Sequence, residues 1–205
     1  MSKTKSKEQP CCIPEEIIGI WTASTRIKAF YTARHQQRVA VLSCIIAEKM
    51  GLPTDKANGL RMAALTHDIG KIGIPDKILN KPGKLTDIEF NTIKAHPTLG
   101  YTMLENIDFG YPVAQIVHQH HERIDGSGYP QGLKDKEILP EAKILAVADV
   151  FDAMTSDRPY RPAIGTVKVL FMILKDSNTL YDFRAVDALI RVIGGKQLVR
   201  GFDFG

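Results

Sequence analysis

At 205 residues, 44% hydrophobic and with a formal net charge of +4, the chain is long enough for one packed domain and too weakly basic to argue for a nucleic-acid polymer as partner. No apolar run approaches the roughly 20 residues of a membrane span, and the early lysines precede no apolar signal core, so neither secretion nor membrane insertion within this chain is expected. Three cysteines (Cys11, Cys12 and Cys44), the first two adjacent in a polar stretch, are an odd number that suits reduced thiols in the cytoplasm.

Residues 1–12, with Lys3, Lys5 and Lys7, read as a polar basic tail; residues 13–195 read as one domain and 196–205 as a C-terminal tail. Segments with helical apolar spacing alternate with Gly, Pro and Asn punctuation and no run alternates with period two, so the fold is expected to be all-α. A helix from His35 to Met50 carries His35, Val39, Leu42 and Ile46 on one stripe and stops at Gly51. The next, from Thr54, aligns Ala57, Leu60 and Ala64 with His67 and Asp68 before Gly70.

Thr86 and Glu89 have capping-box spacing for a helix that runs to His96, where Pro97 ends or kinks it, and a second half then carries Leu99, Met103 and Ile107. After Pro112 an inward stripe of Val113, Ile116, Val117, His120 and His121 is expected, followed by a loop from Asp125 to Gly132. The segment Glu141 to Met154 is apolar nearly all round, the mark of a buried helix, yet contains Asp149 and Asp152. Segments 167–174 and 182–193 have apolar spacing and are assigned to packing.

His35, His67, Asp68, His96, His120, His121 and Asp149 thus fall on inward faces of several helices. Any one buried imidazole is more often a hydrogen-bonded core residue than a ligand, but a set drawn from separate helices is how bundles build dinuclear centres. Nitrogen-rich ligation with carboxylates suits iron, manganese or zinc better than calcium or magnesium. Adjacent residues on a helix point about 100° apart, so His67 and Asp68 serve two neighbouring ions more easily than one, with Asp68 as the bridge. Asp152, one turn past Asp149, is placed to orient a ligand, and His118 departs from the stripe and is expected to be exposed and outside the site.

The stretches HDIGKIGIPDKILNKPGKLT at 67–86 and HHERIDGSGYPQGL at 120–133 strongly resemble the HD-GYP family, with support from YTARHQQRVA at 31–40, ADVFDAMTSDRPYRP at 148–162 and, more weakly, YDFRAVDALIRVIG at 181–194. The resemblance implies a single HD-type helical bundle and a metal-dependent phosphodiesterase that hydrolyses cyclic di-GMP to pGpG, to GMP, or both. It implies the seven residues above as metal ligands, Asp68 and Lys71 as catalytic, and Lys71 as a contact to the scissile phosphate. Arg158 and Arg161 resemble the basic pair that holds a nucleotide phosphate, and Gly128, Tyr129 and Pro130 correspond to the GYP element and are further candidates for substrate binding. Two divalent ions, iron or manganese before zinc, are expected; Tyr31 stands where some members place a glutamate for a third ion, so a third, weaker site needs another group or water in its place.

Two cations a few ångströms apart would supply a bridging hydroxide to attack phosphorus and would clamp the attacking and leaving oxygens. Other readings stay open: a phosphohydrolase for another nucleotide or cyclic dinucleotide, or a non-catalytic module that binds cyclic di-GMP or a protein. The GYP loop is a candidate contact for a diguanylate cyclase or other signalling protein, and a homodimer stays open.

Overall fold

A computed structural model describes the backbone of residues 30–157 and 162–201, with side chains over 34–157 and 162–194. Its long elements are α1 (Phe30–Lys49), α2 (Thr54–Thr66), α5 (His96–Leu104), α7 (Pro140–Thr155), α8 (Thr166–Lys175) and α9 (Phe183–Gly201). Shorter helices are α3 (Asp76–Leu79), α4 (Asp87–Ile93) and α6 (Val113–Gln119), with 3-10 turns at Ile69–Gly73 and Asp135–Glu137. Among the described residues the only extended pairing is two isolated bridges, Asp125 with Lys134 and Ser177 with Tyr181, so the all-α expectation holds.

The centre of the bundle is α7. Pro140 stands at its first turn, where a missing N–H costs nothing, and Ala142, Ile144, Leu145, Val147 and Ala148 have no solvent exposure. It contacts α1, α2, α6, α8 and α9, which explains why its sequence is apolar all round. The hairpin of α1 and α2 closes at Gly51, whose φ of +72° lets the Leu52 N–H donate to the Ala47 carbonyl at 3.0 Å and cap the helix end. Behind it α2 packs on α6, α6 on α5, and the 3-10 turn at 69–73 on α5.

Three expectations about elements change. The second helix ends at Thr66, so His67 and Asp68 lie in the turn beyond it rather than on its face; Gly70 lies so close to α5 that a Cβ there would fall on the His96 carbonyl oxygen. The segment at 96–104 buries His96, Pro97, Gly100 and Leu104, and Met103, expected on the inner stripe, is exposed, because α5 starts afresh at His96 and does not continue the preceding turn. Finally α1 begins at Phe30 rather than at His35, which puts His35 inside the helix instead of at its start. In α8 Val169 and Ile173 are buried and Leu170 packs partly against the core, while Val167, Phe171, Met172 and Leu174 face out. No helix among the described residues is long and apolar enough to cross a membrane.

Candidate metal centre

Three histidines occupy similar places in the chain. His67 follows the last turn of α2, His120 follows the last turn of α6, and His96 opens α5 just beyond α4. In each, ring Nδ1 meets the carbonyl three residues earlier: Ala64 at 2.7 Å, Ile93 at 2.7 Å and Val117 at 2.5 Å. A carbonyl only accepts, so each Nδ1 carries a hydrogen, and in the neutral form of such a ring Nε2 keeps a bare lone pair. Terminating helices thus supply the acceptors that orient the rings.

His35 lies inside α1, where backbone carbonyls are already taken. Its Nδ1 donates instead to Asp152 Oδ2 of α7 at 2.6 Å, and that carboxylate is held by Arg38, with Nε to Oδ1 at 2.6 Å and Nη2 to Oδ2 at 2.9 Å. On the other side of the ring, His35 Nε2 stands 3.0 Å from Asp149 Oδ1.

The Nε2 atoms converge. Those of His96 and His120 face each other at 3.3 Å, two lone pairs with no hydrogen between them in these tautomers. His67 Nε2 is buried without a hydrogen-bond partner, 3.5 Å from Asp68 Oδ2 and 3.8 Å from Asp149 Oδ1. Asp68 also turns Oδ1 toward His96 Nε2 at 3.6 Å, so its two oxygens look to different histidines. Facing lone pairs and an orphaned acceptor are costly in a dry interior unless a cation lies among them.

Two groups of donors could each hold a metal ion, His35 with His67 and Asp149, and His96 with His120 and His121; a third, His67 with Asp68 and His120, joins them. In each group the donor atoms lie within 4.8 Å of one another. All seven residues singled out in the sequence are therefore brought together, and the donor chemistry, imidazole plus carboxylate, fits a pair of transition-metal ions.

The protonation states suit ligation. Burial holds His120 and His121 well below the ordinary histidine range and takes His96 down to about 4, so all three are neutral near pH 7. Burial pushes Asp68 and Asp149 upward, but the Lys71 ammonium beside Asp68 and the His35 bond to Asp149 outweigh it and hold both carboxyls well below their usual range. His35 is the exception. Burial would lower it, yet its bonds to Asp149 and Asp152 raise it to about 9, so in the absence of a cation a proton occupies the space between His35 and Asp149.

Around this cluster Lys71 reaches Asp68 Oδ2 at 2.7 Å with its side chain partly exposed. The GYP loop folds back over the site: the Tyr129 N–H donates to the His121 carbonyl at 3.2 Å, and the two rings lie tilted with centroids 4.8 Å apart. Gly128 rests against the backbone of Glu122 and Arg123 so closely that a Cβ would collide with it, and Pro130 follows in the loop. Arg158 and Arg161 lie outside the described residues, as does the side chain of Tyr31. His118, expected to be exposed, is half-buried by stacking on Tyr101 at 4.8 Å, away from the cluster.

Sequence reasoning missed two supporting residues. Buried Glu122 accepts the N–H groups of Gln131 at 2.7 Å and Leu133 at 3.0 Å, bracing the far limb of the GYP loop, and Arg38 grips Asp152. Position gave a hint in each case, since Glu122 directly follows the histidine pair and Arg38 lies one turn after His35 on the same face. The pairing of Arg38 with Asp152, 114 residues away, gave none.

A family model described as HD domain matches residues 25–184. Among curated proteins the chain is 45% identical over 162 residues to the cyclic di-GMP phosphodiesterase response regulator RpfG of Xanthomonas campestris pv. campestris, covering 78% of this chain and 43% of that protein. It is 42% identical over 181 residues to a cyclic di-GMP phosphodiesterase of Thermotoga maritima, covering 86% and 49%. Among solved structures it resembles a cyclic GMP-AMP specific phosphodiesterase of V. cholerae, V-cGAP3, with a TM-score of 0.57 and 32% identity over 88% of this chain and 41% of that one. The chain spans about half the length of the curated relatives it matches.

Proposed function

The chain belongs to the HD domain family, in its HD-GYP branch, and on that footing we propose that it is a metal-dependent phosphodiesterase that hydrolyses cyclic di-GMP to pGpG, GMP or both. The observation that carries this reading is the pair of three-donor groups joined through His67, Asp68 and His120, with the Lys71 ammonium at its edge. His35, His67 and Asp149 would hold one divalent ion, His96, His120 and His121 the other, and Asp68 would span them. Iron or manganese is proposed before zinc. When bound, such ions supply Lewis acidity and lower the pKa of water, the chemistry that phosphodiester hydrolysis needs.

The protein's own groups do the rest. Lys71 holds a positive charge next to Asp68 and is proposed to meet the non-bridging oxygens of the scissile phosphate, where its ammonium would offset developing charge. Burial raises the Tyr129 phenol above its ordinary range, so at neutral pH it keeps its proton and is an O–H donor and stacking face, not a base. Arg158 and Arg161 are proposed, from the sequence, to grip a substrate phosphate through their forked guanidinium groups. Ser127 and Gln131 stay exposed in the GYP loop, the proposed contact for a signalling partner such as a diguanylate cyclase, and free Cys44 is consistent with the cytoplasm as the proposed compartment.

The test is anaerobic turnover by protein loaded with Fe(II) or Mn(II), offered cyclic di-GMP, 3'3'-cGAMP and mononucleotides in parallel, with pGpG and GMP resolved. Cyclic di-GMP should be the preferred substrate, and Asp68→Ala should abolish product while the circular dichroism stays helical. Preference for cyclic GMP-AMP, the substrate named for the V. cholerae relative, would redirect the assignment within cyclic dinucleotides. No product from verified metal-loaded protein would favour a binding module.

A further inference from the structure

We infer that Arg38 is a positioning residue for one half of the centre: by gripping Asp152 it fixes His35 as a donor, and retention of an ion at the His35–His67–Asp149 group depends on it far more than retention at the other group. This rests on the metal-centre reading above.

The inference follows from how the four buried histidines are oriented. His67, His96 and His120 each use a carbonyl of their own chain, which the local backbone path supplies whatever the neighbouring side chains are. His35, in the body of α1, turns its Nδ1 instead to Asp152, 117 residues away in sequence. A carboxylate that accepts one ring N–H can still rotate about its own axis. Arg38 removes that freedom, because its Nε and Nη2 take both oxygens at 2.6 Å and 2.9 Å and set the plane of the carboxylate facing the imidazole. The His67 and Asp149 donors sit on the opposite side of the ring, so a tilt of the imidazole is felt at that group first.

Arg38 also balances charge. Asp152 is buried, and losing the guanidinium would leave its second oxygen uncompensated. Yet 43% of the Arg38 side chain is exposed, so it reaches inward from the surface and can be replaced without opening the core. Lysine would restore the charge without the fork.

The experiment titrates the full chain with Mn(II) alone, wild type beside Arg38→Gln and Arg38→Lys, and reads ions per chain by mass spectrometry and the metal environment by electron paramagnetic resonance. Wild type should bind two ions as a magnetically coupled pair. Arg38→Gln should lose about 10–100-fold in affinity for one ion only and show the signal of isolated Mn(II), with Arg38→Lys between the two. Two ions bound with wild-type affinity in both variants, or both ions lost together, would overturn the inference. Should Arg38→Gln fail to fold by circular dichroism, Arg38→Lys decides by the same readings. Failure of wild type to bind a pair would instead overturn the metal-centre reading on which the inference stands.

Discussion

Gly70 shows how one residue without a side chain can hold a histidine of the cluster in place. A Cβ there would fall on the carbonyl oxygen of His96 and press on the N–H of Gly100, both backbone atoms of α5 with no rotamer to give. Gly70→Ala should therefore push the start of α5 outward, lowering stability by about 1–3 kcal/mol as in other overpacked sites. Urea unfolding would measure that loss, and Mn(II) titration should show the His96 group weakened in the same variant. The contact also explains why the end of α2 was misread. Apolar periodicity carried the helix through Asp68, but close packing of the following glycine against a distant helix ends it at Thr66, and a sequence pattern does not report distant backbone.

Among the elements, α4 is one whose start could be read from its capping chemistry. Thr86 and Glu89 form the expected capping box, the Glu89 N–H donating to Thr86 Oγ1 at 3.3 Å and the Thr86 N–H to Glu89 Oε2 at 2.8 Å. Thr86→Ala should cost about 1 kcal/mol locally, seen as faster hydrogen exchange of the first α4 amides. Lys81 adds a pH dependence. Its bond to Glu89, with the Thr86 N–H, lowers the carboxyl below the ordinary glutamate range in the folded state. A lowered folded value means the stabilisation is complete above the unfolded pKa and is lost as pH falls through the folded one. Intrinsic-rate-corrected exchange in α4 should thus accelerate on acidification below the usual glutamate range, and Lys81→Ala should blunt that response. The inner faces of α1, α6 and α7 were equally legible, since their stripes obey helical periodicity in a domain with one core. The outward face of α8 was not, because periodicity marks an apolar stripe without saying which part of it a neighbour covers.

For the molecule as a whole, the centre lies where α1, α2, α5, α6 and α7 meet, so an ion there would join most of the bundle. Bound at about one hundred times its dissociation constant, a metal should stabilise the fold by about 2.7 kcal/mol, which for a domain of this size corresponds to roughly 5–10 °C in melting temperature. Thermal melts with and without a chelator would register that difference, and in Asp68→Ala the difference should shrink. The seven clustered side chains could be picked out in the sequence by residue type and by their recurrence along or at the ends of helical segments, whereas Arg38 and Glu122 could not, since what they hold is set by folding. The two ways of orienting an imidazole carry different evolutionary freedom. Ala64, Ile93 and Val117 serve their histidines through carbonyls that every amino acid possesses, so lineages can rewrite those positions, within the limits of packing, without disturbing the orientation of the rings. His35 depends on the identities of two other side chains, and so Arg38 and Asp152 should drift only in concert, a covariation the other three histidines have no reason to show.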